Sequence, residues 1–425
     1  MTTLLVLAVV ALALLGAPLF AVILAAALVG FWLADIPLVV VVVELYRIAD
    51  TPLLLSLPLF AYAGYVLAAG NASQRLVTLT RALVGWLPAG LALVAFVACA
   101  LFTAFTGASG VTIVALGALL FPALVSEGYA ERFSLGLVTS AGSLGLLLVP
   151  SVPLILYGVI AQQLDVGVAF SLRDLFVAGL LPALVMLGLL AAYALWHVRG
   201  RGLELTPFSG AAVGRALYEA RWDLPLPVFV LGGIYGGVFA VSEAAAVTAL
   251  YVTVSQVFLY RDVSLRRLPG VMVEAMVMVG GILLILAAAL AFTNVLVDAE
   301  IPQRLFETIS TMVTDKLVFL LLLNLTLLLL GAILDIFSAL VIMVPLLLPV
   351  AVGYDIHPVH FGIIFLANMQ IGYFTPPIGM NLFIASYRFE RSVTELYQAS
   401  WPFMLVLLGA LLVITYVPWL SLGLL

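Results

Sequence analysis

The sequence predicts an all-α integral membrane protein. Three observations carry that prediction: a large apolar excess, apolar runs too continuous for strands, and a pattern of polar interruptions that recurs in both halves. Of 425 residues, 65% are hydrophobic and 9% charged, against roughly 45–50% and about 25% in a soluble globular chain. Surface grows too slowly with size for a water-soluble fold to hide that much apolar area. Closed β-barrels are excluded by pattern, because their strands alternate over about ten residues. The runs Leu317–Leu334 and Leu405–Val417 do not alternate.

One crossing takes about 20 apolar residues, so the length leaves room for roughly a dozen passes. Apolar segments recur from 4–33 to 401–424. The segment Ile36–Arg47 is short and carries Glu44 and Arg47, which suits an interfacial stretch. The opening Met1–Leu15 has no positive n-region, and its hydrophobicity continues through Gly30, so a first membrane helix is expected rather than a cleaved signal. The longest polar link, His197–Asp223, carries Arg199, Arg201, Arg215 and Arg221, which places it in the cytoplasm by the positive-inside rule. The acidic stretch Asp298, Glu300, Glu307 and Asp315 fits the opposite side.

That link, 198–223, divides the chain into a first repeat, 1–197, and a second, 224–425. Gln74-Arg75-Leu76 precedes Ser109 by 35 residues, and Gln303-Arg304-Leu305 precedes Ser338 by 35. Gly128-Tyr129 answers Gly353-Tyr354, and Pro150-Ser-Val-Pro153 answers Pro376-Pro377-Ile-Gly379. The offset in numbering stays nearly constant, from 225 between Gly128 and Gly353 to 229 between Ser109 and Ser338. An internal duplication explains such an ordered series, and an odd number of crossings per half makes the copies inverted. Shared helix-and-turn composition is the plainer alternative.

Each half holds two interruptions. Thr106-Gly107-Ala108-Ser109-Gly110 lies between short apolar arms, and Leu334-Asp335-Ile336-Phe337-Ser338 repeats the design. Such tips predict re-entrant helical hairpins near 91–125 and 317–352, since irregular backbone at membrane depth survives only under protein or water. The alternative is a kinked spanning helix with small residues for packing. Proline breaks follow within 133–161 and 359–387. Proline removes a backbone donor and frees carbonyls of the preceding turn. Half-helix C-terminal ends suit a cation and N-termini an anionic substrate group. One tip beside one break, twice over, predicts two cation sites.

Asp335 at the second tip suits a cation ligand, a proton carrier or a helix cap. Glu243 suits helix capping and packing or a transport role, and Glu274, after Arg266 and Arg267, reads as an interfacial charge. His357 and His360 are placed in a loop, and no cysteine or third histidine supports zinc there. Cys99 is alone, so no disulfide framework forms within the chain. Ser109 lacks a histidine–aspartate arrangement for nucleophilic work. There is no phosphate-binding GxxxxGK[ST] loop for ATP and no basic stripe for nucleic acid.

Five segments together resemble a known family over essentially the whole chain: TGASGVTIVALGALLFPALVSEGY, SAGSLGLLLVPSVPLILYG, GGVFAVSEAAAV, DIFSALVIMVPLLLPVA and HPVHFGIIFLANMQIGYFTPPIGMNLF. The chain resembles the large membrane subunit (M or DctM type) of tripartite ATP-independent periplasmic, or TRAP, transporters. The resemblance implies a secondary transporter rather than an enzyme, in the cytoplasmic membrane of a bacterium or archaeon. It implies a small four-helix membrane subunit and a soluble periplasmic binding protein as partners. It also implies sodium-driven uptake of a small organic acid, carboxylate or sulfonate, with an elevator-type transport domain moving against a scaffold domain.

Carried over by the same resemblance, one Na⁺ site uses Thr106, Ser109, Gly145, Leu148 and Val149. The other uses Asp335, Ser338, Gly372, Thr375 and Ile378. Ser109, Gly110, Ser338 and Asn381 are the expected substrate contacts. The chain departs from the family's GPxxPPSxP pattern at the first break, where Gly145–Pro153 lacks two prolines, and it has Ala108 where a second serine is frequent. The competing readings are a self-sufficient ion–carboxylate symporter and a non-transporting membrane enzyme or structural subunit.

Overall fold

A computed structural model describes residues 2–47, 52–164, 166–199 and 207–425. Arg201 and the rest of 200–206 in the central link lie outside the described residues, as do the side chains of Glu44 and Arg47. Among the described residues every regular element is a helix. Six helices are long and apolar enough to cross a membrane, or eight if each bent pair counts as one span. The difference from about a dozen apolar runs has a physical reason. Several runs, such as Ser56–Ala69, Gly90–Thr106 and Pro358–Gly372, are shorter arms of 14 to 17 residues.

Both hairpins form. Helix Gly90–Thr106 ends at Gly107, whose φ of +66° is left-handed, a conformation glycine adopts without Cβ clash. The chain returns as Ser109–Ala115 and Gly117–Ser126, bent by 48°. In the second half Lys316–Ile333 turns at Leu334-Asp335 and returns as Ile336–Gly353. Its base is closed by the Lys316 ammonium donating to the Asp355 carbonyl (2.8 Å) and by Phe319 stacked on Tyr354 at 4.1 Å.

The broken helices form as well. Glu131–Ala141 passes through a tight turn at Leu144–Leu147 and resumes as Val152–Gln163, bent by 41°. Pro358–Gly372 stops and resumes as Met380–Phe389. The Val149–Pro150 and Pro376–Pro377 peptides are cis.

The helix ends at the two tips share one offset in numbering, 227, which is also the separation of Ser143 from Gln370. Thr106 and Ile333 end the first arms, and Ser109 and Ile336 begin the second. At the breaks, Leu148 N–H donates to Gly145 O and Thr375 N–H to Gly372 O, both at 3.0 Å. A Cβ on Gly145 would lie 2.1 Å from Ala100 O and 2.5 Å from Ala104 N; one on Gly372 would lie 2.6 Å from Gly331 Cα. Each break therefore presses backbone to backbone on its own hairpin. The two breaks meet where Ser143 Oγ donates to Gln370 O at 2.9 Å. In this register Ala108, not Ser109, stands opposite Asp335.

The hairpin bases lie at opposite ends of the spanning helix Leu172–Val198. The base of the first stands by the C-terminal end of that helix, where Phe133 stacks on His197 at 4.4 Å and Arg81 pairs with Glu127. The base of the second stands by its N-terminal end, where Asp174 acts on His357. The central link shares the first end. There the Arg75 guanidinium joins Asp223 (2.5 Å) and Asp262 (2.6 Å) and stacks over Tyr260 at 3.6 Å. Burial pushes the Asp223 carboxyl up, and Arg75 opposes that push. Arg132, Arg199, Arg221, Arg267 and Arg391 gather at the same end. Asp298, Glu300, Glu307 and Asp315 gather at the other.

Candidate functional site at the hairpin tips

The second tip is built around a carboxylate. Asp335 is the N-cap of Ile336–Gly353, and its Oδ1 accepts the N–H groups of Phe337 and Ser338, each at 3.0 Å. Its Oδ2 accepts the Ser338 hydroxyl. Capping satisfies two of the four orphan donors of a helix start. A third, Ile336 N–H, donates to the Tyr373 hydroxyl at 3.0 Å, and Gly379 N–H donates to Ala332 O at 2.9 Å. Tyr373 and Gly379 flank the proline break, so tip and break form one body. Of the expected second-site residues, Asp335 and Ser338 touch each other, and Gly372 packs under the arm at Gly331. The Thr375 hydroxyl turns back to Ile371 O (2.8 Å).

The first tip has no side-chain cap, because Ala108 occupies the N-cap position. Its order comes from neighbours. Ser109 Oγ donates to Asn381 Oδ1 at 2.8 Å, and Asn381 Nδ2 reaches Thr139 O at 3.4 Å. Asn381 is fully buried and stands just beyond the second break, so it binds the first tip to the other half. Thr103 Oγ1 donates to Gly142 O (2.8 Å) and meets Thr112 Oγ1 at 2.7 Å. A Cβ on Gly107 would lie 2.7 Å from Val152 Cγ2, so the tip rests on the resumed helix of its own break. Gly110 faces Ile384, a Cβ there lying 2.6 Å from Ile384 Cδ1.

The donor chemistry fits a hard monovalent cation. Among the described residues no hydrogen bond ends on the carbonyls of Leu148, Val149, Thr375, Pro376 or Ile378. A carbonyl without a hydrogen-bond partner keeps its lone pairs for a ligand, and an oxygen-binding cation would satisfy them. The Thr106 hydroxyl, fully buried, makes only a 3.4 Å contact to Ala108 O.

Other expectations meet definite surroundings. Glu243 caps its helix, accepting Ala240 N–H at 2.9 Å. His360 is not in a loop but inside Pro358–Gly372, held between Ser421 Oγ (3.1 Å) and Thr415 O (3.2 Å). Proline at the first helical position starts that helix earlier than hydropathy suggests. Sequence reasoning misses Tyr373, Thr103 and the Ser143–Gln370 contact. Only the last has a signal, its separation by the repeat offset of 227.

Comparison with known proteins agrees with this geometry. Residues 5–420 match the family profile of the tripartite ATP-independent periplasmic transporter, DctM component. The C4-dicarboxylate TRAP transporter large permease protein DctM of Rhodobacter capsulatus is 36% identical over 404 residues, 93% of this chain and 91% of the relative. The isethionate TRAP transporter permease protein DctMQ of Oleidesulfovibrio alaskensis is 36% identical over 367 residues, 86% of this chain and 57% of that longer relative. The crystal structure of the Alcanivorax borkumensis YdaH transporter shares the fold, with a TM-score of 0.63 at 17% identity over 90% of this chain and 87% of that one. With the family profile spanning nearly its whole length, the chain belongs to the DctM family of TRAP transporter large permeases, multi-pass inner-membrane proteins that are secondary transporters and not enzymes.

Proposed function

We propose that this chain is the sodium-coupled translocating subunit of a TRAP system importing a small organic acid. A periplasmic binding protein delivers the acid, and a small four-helix membrane subunit accompanies the chain. The observation that carries the reading is the pairing of each hairpin tip with the unpaired carbonyls of its own break. One Na⁺ sits at Thr106, Ser109, Gly145, Leu148 and Val149, and another at Asp335, Ser338, Gly372, Thr375 and Ile378. Sodium at these positions supplies positive charge beside the tips and so favours an anionic substrate at Ser109, Gly110, Ser338 and Asn381. Neither site needs ATP.

The halves act as inverted repeats, a reading supported by the constant register of 227 and by hairpin bases at opposite ends of Leu172–Val198. Residues 90–163 and 316–389 move as one transport domain, tied by Ser109–Asn381 and Ser143–Gln370. Val241–Thr253 and Leu268–Asp298 both pack on Ser56–Ala69, and the three form the scaffold for an elevator-type motion. Uptake of radiolabelled acid into proteoliposomes holding the chain and both partners tests the proposal. Uptake driven by an inward sodium gradient is expected; the same uptake after sodium is replaced by potassium contradicts it.

A further inference from the structure

A cleft of about 480 Å³ opens at the end of the molecule that carries the central link. One wall is the first hairpin and its neighbour: Gly110, Val114 and Ile384. The facing wall, on Leu268–Asp298 and the residue before it, presents Arg267 and Glu274. These two lie seven residues apart, on one helix face and roughly 10 Å along the axis. Both are exposed to the cleft. Among the described residues the Arg267 guanidinium makes one hydrogen bond, a 3.4 Å contact to Ala69 O, and Glu274 accepts none. A mixed pair of charges left without partners, across from glycine at a candidate substrate position, is set up to be completed by a ligand.

We infer that this cleft is the cytoplasmic release vestibule, and that Arg267 and Glu274 select there for a substrate with a single negative charge. The inference rests on the proposed import function and deepens it by naming the charge class. Arg267 takes the anionic group, carboxylate or sulfonate, through its free donors. Glu274 balances the charge of Arg267 on this wall, so a second anionic group placed beside it meets a like charge. A dicarboxylate is thereby disfavoured, although its uncharged portion fits.

The single cysteine, Cys99, is buried, so a Val114→Cys variant of the full chain offers one accessible thiol in the cleft. In inside-out vesicles, a membrane-impermeant maleimide labels that thiol, and millimolar isethionate or succinate is added as protectant. Isethionate is expected to protect at concentrations about tenfold below those needed for succinate. Arg267→Gln raises the isethionate concentration for half-protection about tenfold, whereas Glu274→Gln brings succinate to near parity with isethionate. Labelling of Val114→Cys in each variant at the unprotected rate shows that the fold persists. The inference is overturned if the thiol is not labelled from this face, if neither probe protects, if succinate protects as well as isethionate, or if Arg267→Gln changes nothing. Sodium-driven uptake by the same variants in proteoliposomes, measured in parallel, separates these failures from failure of the import function itself.

Discussion

The two hairpin tips occupy equivalent places, related by the same offset of 227 that joins Ser143 to Gln370, yet they are held by different chemistry. The second is closed from within by Asp335, which caps its own helix and takes the Ser338 hydroxyl. The first has Ala108 at the equivalent position and borrows its order from the other half through Ser109 and Asn381. One tip carries a formal charge and the other carries none. On the proposed reading, a cation at the second tip would gain direct charge pairing, whereas one at the first would depend on neutral oxygens. The second tip is capped by its own side chain, and the first is tied to its own break through Thr103 and to the other half through Asn381.

The largest effects come from features the tips share. Gly145→Ala drives a Cβ to 2.1 Å from Ala100 O, and since neither backbone can yield freely it costs about 3 kcal/mol. Gly372→Ala, with its nearest overlap at 2.6 Å, costs less, and thermal unfolding of the purified variants gives the order. Next, Asp335→Asn removes the charge unique to the second tip, a loss of roughly 1.5–3 kcal/mol, or about 10–100-fold in apparent sodium affinity. Sodium-titrated uptake measures it, and an unchanged affinity would leave Asp335 as a cap alone.

Asn381→Ala strands the buried Ser109 hydroxyl at a cost of about 1–2 kcal/mol. It acts on the first tip although it lies in the second half, which protease protection around Gly107 reads directly. The smallest effect is a gain: Ala108→Asp transplants the missing cap and stabilises the first tip by about 1 kcal/mol, visible as a rise in melting temperature.

Much of this is legible in the sequence because helices at membrane depth show their interruptions. Polar tips at 106–110 and 334–338 stand out against apolar arms, and prolines mark the breaks. Site legibility stops at pairing. Matching Ser109 with Ser338 gives an offset of 229, whereas the helix starts set 227 and bring Ala108 opposite Asp335. The mismatch arises because a serine is visible as a letter, while an N-cap is a backbone position. Contacts between halves, such as Ser109 with Asn381, are 272 residues apart and leave no periodic trace.

The central claim is that the two tips hold two sodium ions of unequal character. The sodium dependence of initial uptake, compared between wild type and Asp335→Asn in proteoliposomes with both partners, tests it most directly. The wild type should respond cooperatively, with more than one ion per transport event, and Asp335→Asn should weaken one component while the other keeps its affinity. Uptake independent of sodium, or a hyperbolic response that Asp335→Asn leaves untouched, would contradict the account.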